Sequence, residues 1–164
     1  MTVNVLMLSP GFPSDLSYFT VALAEVGARV YGIGDQPLGS LRPRVRAALT
    51  DYRQVRTLWD PDAVVEEVRS WLGGRQLDRA ECLWEPGMEV VARLREAFGL
   101  PGLDVERSLA FRDKEKMKQV LDAAGIRTPR HARATTETEC REAADRRGAP
   151  RVIKPIGGAA AAQT

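Results

Sequence analysis

Apolar residues follow two different periods along the N-terminal part of the chain. Short apolar runs, VNVLML at residues 3–8 and ARVYGIG at residues 28–34, have the length and the aliphatic content of buried parallel strands. After the first run, apolar positions recur every three or four residues, which is the spacing of the buried stripe of a helix. The stripe predicts a helix whose buried face carries Leu16, Phe19, Thr20, Leu23 and Val26.

The alternation of strands and helices continues beyond these two runs. Residues 53–58 and 79–86 predict a third and a fourth strand, while residues 35–44 are rich in proline and glycine and predict a loop. Asp60 followed by Pro61 predicts the start of a helix, with an aspartate cap and a proline in the first turn. Strands that alternate with helices indicate an α/β fold with a doubly wound parallel sheet, a Rossmann-like arrangement.

The pattern changes after the turn GLPG at residues 99–102, which predicts a domain boundary. Residues 1–103 form the first predicted domain, and residues 104–164 form an incomplete α+β subdomain. In the second part we predict a helix over residues 113–125, an extended segment, a helix over residues 135–148 and a closing strand over residues 151–156.

Composition and charge exclude several classes of protein. The chain has 164 residues with 24 basic and 22 acidic side chains, and the two signs are interleaved, which argues against a nucleic-acid-binding surface. No stretch has the apolar length of a membrane span or the pattern of a signal peptide. The two cysteines, Cys82 and Cys140, belong to no CxxC pattern, which suits a reducing compartment. We therefore expect a cytoplasmic protein without nucleic-acid or membrane partners.

Two lysines are the first candidates for chemistry. Lys114 lies at the margin of the apolar face of its predicted helix, and Lys154 lies inside the apolar run of the closing strand. Gly157 and Gly158 follow Lys154, and glycine lets backbone N–H groups approach a phosphate closely. Lys154 and the loop together predict a phosphate clamp. The alternative is that Lys114 is a surface lysine whose aliphatic stem covers apolar neighbours, and that Lys154 faces solvent on an edge strand.

The carboxyl ends of the predicted strands hold a second set of candidates. Glu85 ends the fourth predicted strand, and Ser9 and Gly11 follow the first, at the edge where open parallel sheets bind ligands. We predict substrate contacts for these residues. The alternative for Glu85 is a hydrogen bond to the backbone of its own turn.

Other kinds of site have little support. His131 is the only histidine and is interpreted as a surface residue, so neither a zinc site nor a hydrolase triad is predicted. A receiver-like regulatory domain is disfavoured because Ser9, Pro10 and Gly11 stand where an acidic cluster is expected.

The segment GLPGLDVERSLAFRDKEKMKQVLDAAGIRTPRHARATT, followed by GAPRVIKPIGGA, resembles the opening of the ATP-grasp superfamily. The preceding α/β unit, with ALAEVGARVYGIGD, is similar to the pre-ATP-grasp domain of these enzymes. The resemblance implies that Lys114 and Lys154 contact the phosphates of ATP and that the phosphate-covering loop contains Gly157, Gly158 and Ala159.

The resemblance also implies the activity. It suggests the N-terminal part of a ligase that activates a carboxylate as an acyl phosphate for attack by an amine or a thiol. ATP and Mg²⁺ are the implied cofactors, with no metal ligand in this chain and the metal ligands expected downstream of residue 164. The 164-residue chain alone is then expected to be inactive. The alternative is a non-catalytic α/β module derived from such a ligase. The acid and the nucleophile stay open, and a homo-oligomer is compatible with the sequence.

Overall fold

The computed structural model describes residues 2–147 and 152–155 of the chain. Four parallel strands form one sheet in the order β3-β2-β1-β4. Their bounds are Asn4–Leu8 (β1), Arg29–Gly34 (β2), Leu49–Gln54 (β3) and Arg79–Cys82 (β4). The predicted fold class, an α/β fold with a doubly wound parallel sheet, is confirmed.

Seven α-helices connect and follow the strands in the described part of the chain. Their bounds are Ser17–Glu25 (α1), Pro43–Ala48 (α2), Pro61–Leu72 (α3), Met88–Phe98 (α4), Val105–Arg112 (α5), Lys114–Ala123 (α6) and Glu137–Arg147 (α7). Two short 3-10 helices, Leu38–Ser40 and Glu85–Gly87, lie in loops that follow β2 and β4.

The main core lies between the sheet and the pair α3 and α4. Leu6 and Leu8 of β1 and Ile33 of β2 are buried there against Val68 of α3 and Leu94 of α4. Alternate side chains of a strand point to opposite faces, so Val5 and Met7 of β1 are buried on the other face, the face of α1 and α2. The sheet is therefore covered on both faces, as a parallel sheet requires.

The start of helix α3 is determined by Asp60 and Pro61. The Asp60 carboxylate accepts a hydrogen bond from the Ala63 backbone N–H at 3.1 Å, and Pro61 occupies the first turn, where no backbone donor is needed. The helix ends at Leu72, and the next residue, Gly73, adopts a left-handed φ of 55°. These caps agree with the helix start predicted at Asp60 and Pro61.

A glycine-lined strip on β2 makes room for a tyrosine of β3. A Cβ atom at Gly34 would lie 2.7 Å from the Tyr52 Oη atom, and one at Gly32 would lie 2.9 Å from the Tyr52 ring. The Tyr52 hydroxyl donates a hydrogen bond to the Gln36 carbonyl at 2.7 Å. Burial, and secondly the negative charge of Asp35, raises the pKa of Tyr52 to about 12. The tyrosine therefore stays protonated and braces the loop after β2.

Several sequence-based element assignments are corrected. The third strand is β3 at Leu49–Gln54, not residues 53–58, and helix α2 begins at Pro43 inside the region predicted as a loop. On α1 the buried residues are Ser17 and Thr20, whereas Phe19 and Val26, predicted to be buried, are exposed. Thr20 is buried as predicted, and its hydroxyl donates a hydrogen bond to the Pro10 carbonyl at 2.8 Å.

The second part of the chain departs from expectation in two further ways. Helix α5 was not predicted. Helix α6 buries none of its residues, and Met117 and Val120 on its apolar face are exposed. Residues 152–155 form neither helix nor strand and are exposed, and the rest of the predicted closing strand lies outside the described residues.

The chain divides into two compact units. The first comprises Met1–Ser108 and contains the whole sheet with helices α1 to α4, and the second comprises Leu109–Thr164. The division falls inside α5, later than the boundary predicted from the GLPG turn. The assignment of residues 1–103 and 104–164 to named domains stays a prediction.

Candidate functional site

The carboxyl ends of β1 and β4 lie side by side at one edge of the sheet. Leu8, the last residue of β1, is in register with Cys82, the last residue of β4. On one side of β1 the sheet continues through β2 to β3, and on the other side it continues to β4. The direction in which successive strands are added therefore reverses at β1. Such a switch point leaves a crevice outside the strand ends, where open α/β sheets bind ligands.

The loop after β1 begins with a strained residue. Ser9 has a φ of 52°, in the left-handed region that a serine rarely adopts. Its N–H donates to the Ile33 carbonyl at 2.7 Å, and its carbonyl accepts from the Phe12 N–H at 3.0 Å. Strain of this kind persists where the surroundings hold it in place and is frequent at ligand sites.

Ser9 and Gly11 line a shallow crevice on the β2 side of the edge. Its other walls come from Gly34 and Asp35 after β2 and from Tyr52 of β3. A Cβ atom at Gly11 would lie 2.7 Å from the Leu41 side chain, so this backbone approaches the wall closely. The crevice therefore combines small residues such as Ser9 and Gly11 with the side chains of Asp35 and Tyr52.

Glu85 lines a separate cavity on the β4 side, with a volume of about 340 Å³. Glu85 begins the 3-10 helix after β4 and is half-buried. The structure thus places Ser9 and Gly11 in one depression and Glu85 in another at the same edge. The cavity is lined by Cys82, Glu85, Met88, Arg95, Leu103 and Ser108, among others.

The polar groups of this cavity are largely committed to structural contacts. The Arg95 guanidinium donates to the Ala80 carbonyl at 2.9 Å and to the Glu81 carboxylate at 2.8 Å. The Cys82 thiol donates to the Trp84 carbonyl at 3.2 Å. Burial raises the pKa of Cys82 to about 11, so the thiol is protonated at neutral pH and is a poor nucleophile.

Lys114 is the first residue of α6 and is half-buried. The preceding residue, Asp113, caps the helix, since its carboxylate accepts hydrogen bonds from the N–H groups of Glu115 at 2.8 Å and Lys116 at 3.1 Å. The cap already uses these two N–H groups. These two N–H groups are therefore not available to an anion at this end of α6.

The cap makes the stability of α6 depend on pH. Hydrogen bonds from the Lys116 and Glu115 backbone lower the pKa of Asp113 below its ordinary value. A carboxylate with a lowered pKa stabilises the folded state above its unfolded pKa, about 3.9, and the contribution is lost as the pH falls through the folded value. We expect the acid titration of helicity, followed by circular dichroism, to include this loss.

Replacing Asp113 with asparagine is the matched test of that cap. Asparagine caps helices about as well as aspartate but carries no titrating group. The Asp113→Asn variant should keep more of its helicity than the natural chain in acid, and the two should agree near neutral pH. Identical acid titrations would contradict the role of the cap.

Lys154 and the loop that follows it are only partly described. Lys154 is exposed, as are Val152 and Ile153 before it. Gly157, Gly158 and Ala159 lie outside the described residues. The roles of Lys114 and Lys154, and of this loop, stay predictions.

His131 is less exposed than its sequence context predicted. Its Nε2 atom lies 3.5 Å from the Glu115 carboxylate, and 23% of its side chain is exposed. The pair joins the extended segment after α6 to the first turn of that helix. Sequence reasoning missed it because the two residues lie far apart in the chain and share no pattern.

The described residues contain no group of three or more histidine, cysteine, aspartate or glutamate side chains placed to hold a metal ion. None of the helices in that same part of the chain has the length and apolar character needed to cross a membrane.

Known proteins resemble this chain in sequence and in fold. A D-alanine–D-alanine ligase of Pseudomonas putida (strain GB-1) is 39% identical over 64 residues, which is 38% of this chain and 20% of that ligase. An alanine–anticapsin ligase of Bacillus subtilis is 31% identical over 94 residues, 57% of this chain and 20% of the ligase. No family model matches the chain.

Two solved structures cover nearly the whole chain. The L-amino acid ligase from Bacillus licheniformis superimposes with a TM-score of 0.71 at 20% identity over 96% of this chain and 38% of its own. N5-carboxyaminoimidazole synthetase from Staphylococcus aureus, complexed with ADP, gives a TM-score of 0.67 at 15% identity over 97% of this chain and 40% of its own. At these identities the structural likeness shows the fold.

This chain is similar to ATP-grasp superfamily ligases. The resemblance predicted from the sequence is thereby confirmed, and the α/β fold is consistent with an N-terminal portion of such an enzyme. The chain spans about a fifth of the length of the curated ligases that it matches.

Proposed function

We propose that the chain is the N-terminal part of an ATP-dependent ligase of the ATP-grasp type. The observation that carries the proposal is the match of nearly the whole chain, 96%, to the fold of an L-amino acid ligase, together with sequence identity to D-alanine–D-alanine and alanine–anticapsin ligases. These names indicate small carboxylic acids and amines as substrates of the relatives. We propose the same class, a carboxylate joined to an amine or a thiol, for this protein.

The proposed reaction has two steps. A carboxylate oxygen of the first substrate attacks the γ-phosphorus of ATP, the bond to the bridging oxygen breaks, and an acyl phosphate and ADP form. The amine or thiol of the second substrate then attacks the acyl carbon, loses a proton and expels inorganic phosphate. Phosphoryl transfer of this kind depends mainly on positioning and on neutralising phosphate charge.

Two lysines of the second unit supply positive charge in this proposal. Lys114 extends from the first turn of α6, where the Asp113 cap has taken backbone donors and leaves the ammonium group to meet a phosphate. Lys154 is exposed and therefore accessible to a nucleotide. The loop with Gly157, Gly158 and Ala159 is proposed to cover the phosphates.

The first unit is proposed to contact the substrate. Glu85, Ser9 and Gly11 stand at the switch-point edge of the sheet, where a carboxylate and a strained backbone can bind a small polar molecule. Half-burial of Glu85 favours a specific contact over a fully hydrated one.

The described residues contain no cluster of three or more carboxylate, histidine or cysteine side chains. We propose no residue of this part of the chain as a ligand of Mg²⁺. A cytoplasmic protein that acts on small molecules remains our expectation.

Removing either lysine should weaken ATP binding. A hydrogen bond to a charged group is worth about 1.5–3 kcal/mol, so Lys114→Met and Lys154→Met should each raise the Kd for ATP about tenfold or more. Isothermal titration of ATP into the native full-length protein measures this. Lys116→Met is the matched control, because Lys116 lies on the same helix and is exposed.

Two outcomes would contradict the proposal. ATP affinity that is indifferent to both substitutions would favour a non-catalytic module that binds through its first unit. Turnover of ATP with a carboxylate by purified residues 1–164 would show that this part carries the whole catalytic apparatus, contrary to the expectation that it is inactive alone.

A further inference from the structure

Three aromatic side chains meet at the carboxyl edge of the sheet. Phe12 comes from the loop after β1, Trp59 from the loop after β3, and Trp84 from the segment that directly follows β4. The Phe12 and Trp84 ring centroids are 5.7 Å apart at 87°, and those of Trp59 and Trp84 are 5.3 Å apart at 66°. We call these three residues the aromatic cluster.

Two of the three rings of the aromatic cluster are exposed to solvent and do not belong to the buried core. Trp59 is 66% exposed and Phe12 is 46% exposed, whereas Trp84 between them is half-buried. By contrast Trp71, the remaining tryptophan, is half-buried against Tyr31 and donates to the Asp51 carboxylate at 3.2 Å. Edge-to-face contacts fix the rings of the cluster relative to one another and leave a preformed apolar surface in solvent.

The position of the surface indicates a small ligand. The contact between Phe12 and Trp84 joins the loops of β1 and β4, which flank the switch point of the sheet. Ligands of open α/β sheets collect at this point. Glu85, the next residue, lines the cavity on the β4 side of the same edge.

We propose that the aromatic cluster binds the bulky apolar side chain of an amino acid substrate. The inference rests on the proposed ligase function and deepens it by naming the substrate class. An apolar surface held by rigid rings favours a large hydrophobic or aromatic group, since the gain scales with the apolar area removed from water. The preferred substrate is therefore an amino acid with a large apolar side chain.

Tryptophan fluorescence tests this directly in the native full-length protein. Within residues 1–164 the tryptophans are Trp59, Trp71 and Trp84, so a Trp71→Phe background removes the one that lies outside the cluster. L-phenylalanine and L-alanine are the two probes, and they differ in side-chain size alone. We expect L-phenylalanine to change the emission and to bind at least about tenfold tighter than L-alanine.

Two substitutions separate the cluster from other exposed aromatic residues. Trp59→Ala should abolish the preference for L-phenylalanine and is expected to fold normally, because the ring is largely exposed. Tyr18→Ala on α1 removes a ring that is 60% exposed and should leave the preference unchanged. Equal affinity for both amino acids, or a preference that survives Trp59→Ala, would overturn the proposal.

The remaining outcomes are also informative. Self-association that depends on Trp59, measured by sedimentation, would assign the surface to a second copy of the chain and overturn the proposal. If the lysine variants lose ATP affinity while the two amino acids bind equally, the ligase function stands and only this inference fails. If neither lysine substitution changes the ATP affinity, the proposed function itself is contradicted.

Discussion

Replacing Leu8 with alanine is expected to lower the free energy of unfolding of the first unit by about 2–5 kcal/mol. Leu8 is the last residue of β1, is 1% exposed and belongs to the core between the sheet and helices α3 and α4. It pairs with Ile33 of β2 on one side and with Cys82 of β4 on the other. Alanine would leave a cavity that the fixed strands cannot close, and a loss of this size comes from that cavity and the lost burial together.

Urea unfolding followed by tryptophan fluorescence measures the effect of Leu8→Ala. All tryptophans of residues 1–164 lie before Ser108, so their emission reports on the first unit alone. Leu38→Ala is the matched control, because Leu38 is 44% exposed in the loop after β2. We expect the control to change stability by no more than about 0.5 kcal/mol. Equal effects of the two substitutions would contradict the assignment of Leu8 to the core.

The strands of the sheet were predicted well where the buried residues form a continuous apolar run in the sequence. The first two strands are near-continuous apolar runs because both faces of β1 and β2 are covered, and their predicted bounds differ little from the observed ones. The third strand was misplaced because Leu49–Gln54 is only half-buried and rich in polar residues, while Val55 and Leu58 just beyond it are buried outside the sheet. A prediction from apolar residues alone therefore places the strand too late in the chain, because these apolar side chains are buried after the strand has ended.

Helix faces were harder to predict because small polar side chains occupy buried positions. On α1 the buried positions are Ser17, which was not predicted, and Thr20, which was. Their hydroxyls donate to the Ser14 and Pro10 carbonyls. Pairing of this kind makes burial of a hydroxyl inexpensive, and hydrophobicity alone does not reveal it. Phe19 was then assigned to the wrong face.

The edge of the candidate site was predictable, but its contents were not. Ser9 and Glu85 were assigned to the carboxyl ends of their strands from chain order alone, and the structure has them at that edge. That they line different depressions depends on side-chain packing around Tyr52 and Arg95, which no local pattern encodes. The aromatic cluster was missed because its members come from three loops, although each ring closely follows a strand in the sequence.

Replacing Gly87 with valine is expected to destabilise the first unit by about 1–3 kcal/mol and to displace Trp84. Gly87 ends the short 3-10 helix that holds Glu85, and a Cβ atom there would lie 2.6 Å from the Cys82 Sγ atom and 2.9 Å from Leu8 Cδ2. The Trp84 ring is the third neighbour, at 3.3 Å. The glycine is therefore required by the close approach of this turn to the end of the sheet.

Two measurements and two further variants test the role of Gly87. Urea unfolding gives the loss of stability, and the emission maximum of the folded state reports the displacement of Trp84. Gly39→Val is the control, since a Cβ atom at Gly39 has no neighbour within 4 Å. Adding Cys82→Ala to Gly87→Val removes the closest clash and should recover part of the lost stability, because contacting residues are energetically coupled. Full additivity of these two substitutions would show that the packing of Gly87 against Cys82 does not set the position of the turn, and that the site depends on other contacts.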